Sequence, residues 1–280
     1  MTSTIRLIPQ GQDPDGPHFV SGRRESGCRV ISLANQKGGV AKTTSVVNLA
    51  AALRERGKRV LCIDLDPQSN MSMSFGIDIE QLPRSMYDVL VNRLPIEEVI
   101  HETAEADVAA SSIDLAGAEL ALSSQIGRER ALDKALALVK GRYDFVLIDT
   151  PPSLGLLTIN AFTASDEVIV PVQAEYLSLR GLVQLDETLA MIREHLNPKV
   201  RISGILLTMY DPRSNHSRQA AEVLIQNFGD AVMKTRIKRT IRFAEAPVQG
   251  GSVLSLEPNG RAAHMYRDLA EEVLAQHVTA

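Results

Sequence analysis

The segment Asn35-Gln-Lys-Gly-Gly-Val-Ala-Lys-Thr-Thr44 holds the residue types best suited to chemistry in this chain. It lies between a β-branched apolar run, CRVISLAN at 28–35, and an amphipathic pattern, TTSVVNLAAALRERG at 43–57. Consecutive glycines let a backbone curl tightly and turn its N–H groups toward one anion. A helix starting directly after such a loop adds the positive end of its dipole. In that setting Lys42 reaches the β- and γ-phosphates of a nucleotide, and the Thr43 hydroxyl binds Mg2+. The general pattern is G-x-x-x-x-G-K-[ST], and Gln36 and Ala41 stand at its two glycine positions. Next to the helix start a right-handed backbone at Ala41 would suffice. Taken alone, these residues also suit a glycine-rich turn with a solvated lysine.

Two acidic segments follow. LCIDLDPQSN (61–70) ends an apolar run with Asp64 and Asp66, and FVLIDTPPSLG (145–155) ends one with Asp149. An apolar strand ending in aspartate is the arrangement that supports the magnesium shell in phosphoryl transfer, so Asp149 is expected to hold the metal through water. Pro151 and Pro152 stiffen the turn beyond it. Strand-end aspartates such as 64 and 66 also serve as helix caps, so this pair alone does not decide.

Positioning these loops takes alternating strands and helices. Further near-continuous apolar runs, EVIVPVQ (167–173) and VRISGILLTMY (200–210), suit strands buried on both faces. Helical patterns cover 43–57, 129–141, 179–196 and 217–229, with Gly57, Gly141 and Gly229 where C-caps belong. The expected fold is α/β: a mostly parallel twisted sheet with helices on both faces, of P-loop NTPase type. Residues 1–27, with four Gly and three Pro, read as a flexible tail before one domain at 28–280. Two cysteines, Cys28 and Cys62, make neither a disulfide framework nor a four-cysteine zinc site. No apolar run reaches the ~18 residues of a membrane span, and the start lacks a signal-peptide core, so a cytoplasmic protein is expected.

The three loops, in this order, resemble those of the deviant Walker-A ATPases of the ParA/MinD type, whose phosphate loop reads K-G-G-x-G-K-T-[TS]. Lys37, Gly38, Gly39, Val40, Lys42, Thr43 and Thr44 match, and Ala41 departs. The resemblance implies that Lys37 to Thr44 bind ATP with Mg2+, Thr43 and Asp149 serving the metal. It implies that Lys37, the family's additional lysine, acts across a homodimer enclosing two ATP. The 61–70 loop is similar to the family's D-x-D-P-Q-G-N, with Ser69 in place of glycine. By that match Asp66 orients the attacking water, Asn70 belongs to the same switch, and Asp64 lies nearer the metal. Lys37 and Asp66 are then the catalytic pair, working by positioning and charge neutralisation with no covalent intermediate.

The resemblance spans about residues 28–277. SDEVIVPVQAEYLSLRGL (165–182), GILLTMYDPR (204–213) and IRFAEAPVQGGS (241–252) look more like chromosomal, Soj-type ParA proteins than like other branches. A MinD-like membrane helix would need a basic face, whereas in the C-terminal helical pattern Arg261 and Arg267 are outnumbered by Asp268, Glu271 and Glu272. That pattern is expected to pack on the core. Neither cysteine lies beyond the second acidic switch, where iron-protein relatives hold their cluster. The tail is too short for the helix-turn-helix domain of large plasmid ParA proteins.

Residues 201–250 hold eight basic and four acidic residues, net +4, in a chain of net −4. The densest stretch is KTRIKRTIR at 234–242. Soj-type proteins carry DNA-binding arginines in this region; the resemblance implies that role for Arg213, Arg239 and Arg242, with Arg218 and Lys238 as additions. Few aromatics lie nearby, so phosphate contact is expected rather than base stacking. Relative to the family motif I-P-R-N-V-R-L, Lys238 replaces Pro and Thr240 replaces Asn. The implied function is a nucleoid-associated partition ATPase. Its ATP dimer would bind double-stranded DNA non-specifically, and a ParB-type centromere-binding partner would stimulate hydrolysis. Alternatives are an ATPase that positions a protein cargo and a small-molecule ATP-dependent enzyme.

Overall fold

The apolar runs expected as strands form the middle of an eight-stranded sheet of order β3-β4-β2-β5-β1-β6-β7-β8. The computed structural model describes residues 27–174 and 178–276, so nearly all of the expected N-terminal tail lies outside the described residues. The strands are β1 (Arg29–Leu33), β2 (Val60–Asp64), β3 (Ile100–Glu102), β4 (Asp107–Ala109), β5 (Phe145–Asp149), β6 (Glu167–Gln173), β7 (Arg201–Tyr210) and β8 (Val232–Lys238). Every pairing is parallel except β3 with β4. All residues of β1, β2 and β5 are buried, as a sheet covered on both faces demands.

Eleven α-helices appear among the described residues: α1 (Lys42–Glu55), α2 (Asn70–Ser74), α3 (Met86–Asn92), α4 (Ala118–Leu122), α5 (Ala131–Leu136), α6 (Leu156–Ala164), α7 (Ser178–His195), α8 (Asn215–Phe228), α9 (Arg242–Glu245), α10 (Val253–Leu256) and α11 (Arg261–Ala275). Alternate strand residues divide between two cores. Ile31, Cys62 and Leu147 pack with α1, α10 and α11, while Val30, Leu61 and Val146 pack with α3, α5 and α6. The second face continues under α7 and α8. The C-terminal helix buries Ala262, Ala263, Tyr266, Leu269, Ala270 and Val273, so it packs on the core as expected. Among the described residues no helix is long and apolar enough to cross a membrane.

Three sequence expectations change. The 129–141 helix is broken: α5 is flanked by 3-10 turns at Arg128–Arg130 and Lys140–Arg142. Gly141 lies inside the second turn and is no left-handed cap, whereas Gly57 and Gly229 hold φ of 73° and 52°. The chain tightens there to bury Tyr143 and to bring Asp144 onto Arg59 before β5 starts. The basic stretch KTRIKR proves to be largely strand β8. It is a sheet edge, where exposed lysines discourage further pairing. Its Lys234 and Thr235 N–H groups donate to the Glu272 carboxylate of α11 at 2.7 and 2.9 Å.

One buried arginine ties β1 to β6 by an ion pair and to α11 by a hydrogen bond. The Arg29 guanidinium, 4% exposed, donates to Glu167 Oε2 and to the Val273 carbonyl, each at 2.6 Å. It also lies 5.4 Å from the Phe145 ring centroid. Removing only one partner strands a buried charge. Glu167→Ala should therefore cost about 3–5 kcal/mol in urea unfolding, whereas the double change Arg29→Met/Glu167→Leu should cost far less. Equal losses in the two proteins would show that packing, not charge pairing, holds this junction.

Candidate functional site

Register brings the chemistry to one end of the sheet. Leu33 of β1 and Asp64 of β2 both pair with Asp149 of β5, so the three loops leave the carboxyl ends of adjacent strands together. Ligands of open α/β sheets bind at such ends.

The loop between β1 and α1 is anchored at several points. The Asn35 side chain accepts from Lys37 N at 2.9 Å and donates to the Pro171 carbonyl at 2.7 Å. Thr208 Oγ1 donates to the Val40 carbonyl at 3.0 Å. Gly39 has φ 71°, and Ala41 has φ 66° and ψ 36°. Ala41 is thus left-handed, not right-handed as expected. The turn into Lys42 needs a positive φ, and the alanine adopts it at a steric cost of about 1–2 kcal/mol. Ser69, the other glycine replacement, is also left-handed, at φ 55°. Lys37 is exposed, its ammonium 3.2 Å from Gln173 Oε1.

The acidic side is crowded. Thr43 Oγ1 donates to Asp149 Oδ2 at 2.6 Å, while Asp149 Oδ1 is buried without a partner. Asp64 accepts from Ser72 N, Ser72 Oγ and Asp66 N at 2.9, 2.8 and 3.1 Å. Burial pushes the Asp64 carboxyl up to about 6, against those hydrogen bonds. Burial, then the charge of Asp64, raises Asp149 well above the usual carboxylate range. Lys42, 7% exposed, is lowered by burial despite Asp149 and Asp66. Asp66 accepts from Gln68 N at 2.9 Å at the rim of the same space. An orphaned carboxylate oxygen beside a threonine hydroxyl, with more carboxylate than ammonium, fits a hard divalent cation.

Asp149 lies buried behind Thr43, and the phosphate-type loop with Lys42, Thr43 and Asp66 lines one side of a cavity of about 760 Å³. Its other wall is the chain from Ile237 to Gly251, including Thr240, Phe243 and Val248. That volume suits a small ligand or cofactor. Lys238 and Arg239 line it too, so part of the basic stretch faces the cavity. Arg213 and Arg218 are exposed at the β7–α8 turn and the first turn of α8. Arg242 is held by Glu245 at 2.7 Å and Glu257 at 3.1 Å. Sequence reasoning missed Asn48, Met209 and the 246–251 segment as cavity wall, since none matches a nucleotide motif.

A phosphate-type loop entering a helix, with strand-end carboxylates at the carboxyl edge of a parallel sheet, defines a P-loop NTPase fold. A family model described as an AAA domain matches residues 28–202. The chain is 47% identical over 249 residues to the sporulation initiation inhibitor protein Soj of Bacillus subtilis, covering 88% of this chain and 98% of that one. It is 43% identical over 252 residues to the chromosome partitioning protein ParA of Caulobacter vibrioides, covering 89% and 94%. Among solved structures, cobyrinic acid a,c-diamide synthase from Mycobacterium smegmatis, with ADP and magnesium bound, matches with a TM-score of 0.80. The identity is 39%, over 90% of this chain and 96% of that chain. The chain belongs to the deviant Walker-A family of the ParA/MinD type, alongside Soj and ParA.

The left-handed alanine has a measurable consequence. Ala41→Gly should raise thermal stability, by about 1 kcal/mol at most once glycine's extra unfolded-state freedom is deducted. A melting temperature unchanged or lowered in Ala41→Gly would mean that this backbone carries no strain.

Proposed function

We propose that this protein is an ATP- and Mg2+-dependent partition ATPase of the ParA type, built as one ATPase domain over 28–280. The observation that carries this is the meeting of Lys42, Thr43 and Asp66 at one cavity, with Asp149 buried directly behind Thr43 and accepting its hydroxyl. The N–H groups of Gly38 to Thr44 and the α1 dipole receive the phosphates, and Lys42 clamps the β- and γ-phosphates. Thr43 directly, and Asp149 through water, would hold Mg2+, which supplies charge neutralisation on the phosphates. Asp66 orients the attacking water. Lys37, exposed at the mouth of the loop, reaches the phosphates of a second copy, so hydrolysis belongs to an ATP-bound homodimer.

In this reading Arg213, Arg218, Lys238, Arg239 and Arg242, which lie in a net-basic stretch of a chain of net −4, supply a basic face. In the dimer that face binds duplex DNA through phosphates, without sequence preference. A ParB-type centromere-binding protein stimulates hydrolysis and so releases the DNA, and the protein works on the nucleoid in the cytoplasm.

The likeness to the Mycobacterium smegmatis synthase favours a second reading, an ATP-dependent small-molecule enzyme. Covalent catalysis through a cysteine in such an enzyme would require a reactive thiolate. Burial, then Asp166, pushes the Cys28 thiol up to about 12, and Cys62 is wholly buried. Neither thiol lines the cavity.

Three experiments decide. Lys42→Ala should weaken Mg-ATP binding in calorimetry by about 1.5–3 kcal/mol, the worth of one charge-assisted hydrogen bond. Lys37→Ala should keep ATP but not dimerise, and Asp66→Ala should accumulate as an ATP-bound dimer in light scattering. A monomeric, ATP-loaded Asp66→Ala protein would count against the shared site. For DNA, Arg213→Glu should lower retention on non-specific duplex and flatten the log–log salt slope by roughly one unit for each phosphate no longer engaged. Its ATP affinity should be unchanged. Retention that is equal with ATP and ADP in the wild type would turn the assignment toward the small-molecule enzyme.

A further inference from the structure

The cavity has two sides of different origin. The phosphate loop and α1 are built into the centre of the sheet. The opposite wall, 237–251, leaves the edge strand β8 and has only one-turn helical structure of its own. Its first end is fixed because Ile237 is 1% exposed in the core. What fixes its far end is a pair of polar side chains outside every nucleotide motif.

Asn48, 3% exposed on α1, donates Nδ2 to the Thr44 carbonyl at 2.6 Å and accepts Val253 N on Oδ1 at 2.8 Å. One neighbour is acceptor only and the other donor only, so the amide orientation is determined. Asn48 therefore spans the first turn behind the phosphate loop and the start of α10. Glu105, in the β3–β4 turn, accepts Ser252 N on Oε2 at 2.8 Å and Ser252 Oγ on Oε1 at 2.5 Å. A third contact comes from the end of the acidic switch: a Cβ on Gly250 would lie 3.4 Å from Gly76 Cα.

We propose that Asn48 and Glu105 are positioning residues for nucleotide recognition. They set the distance between the 237–251 wall and the phosphate loop, so that base and triphosphate are read at one spacing. The proposal rests on the cavity being an ATP site. Misplacing a wall by a fraction of an ångström weakens contacts to the part of the ligand it touches and leaves the rest. The triphosphate, held by the α1 side, should not sense the change.

The test compares Mg-ATP with Mg-tripolyphosphate by calorimetry on the full chain. Glu105→Ala should raise the Kd for Mg-ATP roughly tenfold, and that for Mg-tripolyphosphate less than about twofold. Glu105→Gln keeps an acceptor for Ser252 N and offers a donor to Ser252 Oγ, so it should restore wild-type selectivity. Asn48→Ala also releases the Thr44 carbonyl beside the phosphate loop, so it should weaken Mg-ATP at least as much as Glu105→Ala, and Glu105, which touches only the far wall, carries the selectivity test. Equal weakening of both ligands, no weakening of either, or a glutamine variant as poor as alanine overturns the positioning role. A wild-type protein that binds no Mg-ATP overturns the ATP site itself. One that binds both ligands equally overturns recognition by this wall.

Discussion

The hydrogen bond from Thr43 to Asp149 joins the first turn of α1 to the end of β5, and the rest of the site depends on it. It uses one oxygen of a fully buried carboxylate and leaves the other unmatched. A buried carboxylate oxygen left unmatched beside a threonine hydroxyl suits a bound cation. The parallel register of β1, β2 and β5 places that carboxylate level with Leu33 and Asp64, so loops far apart in sequence open into one space. Had β5 slipped by one residue, Asp149 would face the opposite side of the sheet.

Around this centre the backbone accepts strain. Ala41 and Ser69 occupy left-handed positions where glycine would sit freely. Both flank the cavity side that carries the carboxylates, and both are braced: the loop before Ala41 by Thr208, and Ser69 by burial at the start of α2. Strained backbone persists only when its surroundings determine it. Here the surroundings are the strand ends, so the rigidity of the sheet is what keeps the loops curled around an anion.

Charge is distributed in the same economical way. The chain is acidic overall; some carboxylates gather near the cavity and others pair with surface arginines, as Glu55 does with Arg267. The 201–250 region is net basic, and it ends at the cavity wall. Arg242 illustrates the coupling: it sits on α9, whose Phe243 and Ala244 line the cavity, while Glu245 and Glu257 hold its guanidinium. A basic surface and a nucleotide-sized space thus share one short segment of chain.

The strands β1, β2, β5, β6 and β7, the helices α1, α7, α8 and α11, and the loops carrying Lys42, Thr43, Asp66 and Asp149 were legible in the amino-acid sequence. Their signals are local: apolar runs set the strands, and glycine beside lysine and threonine sets an anion loop. Strand β8 was hidden because an edge strand made of alternating charges looks like a solvated basic run. The left-handed Ala41 was hidden because its φ is imposed by the turn between β1 and α1, not by alanine's own preference. Asn48 and Glu105 were hidden because each meets the far wall through residues 205 and 147 positions away. By itself, then, the sequence determined the elements and the phosphate loop, since those follow from neighbours along the chain. Only the tertiary structure decided the far wall of the cavity and what holds it, because those depend on hydrogen bonds that exist once distant segments pack.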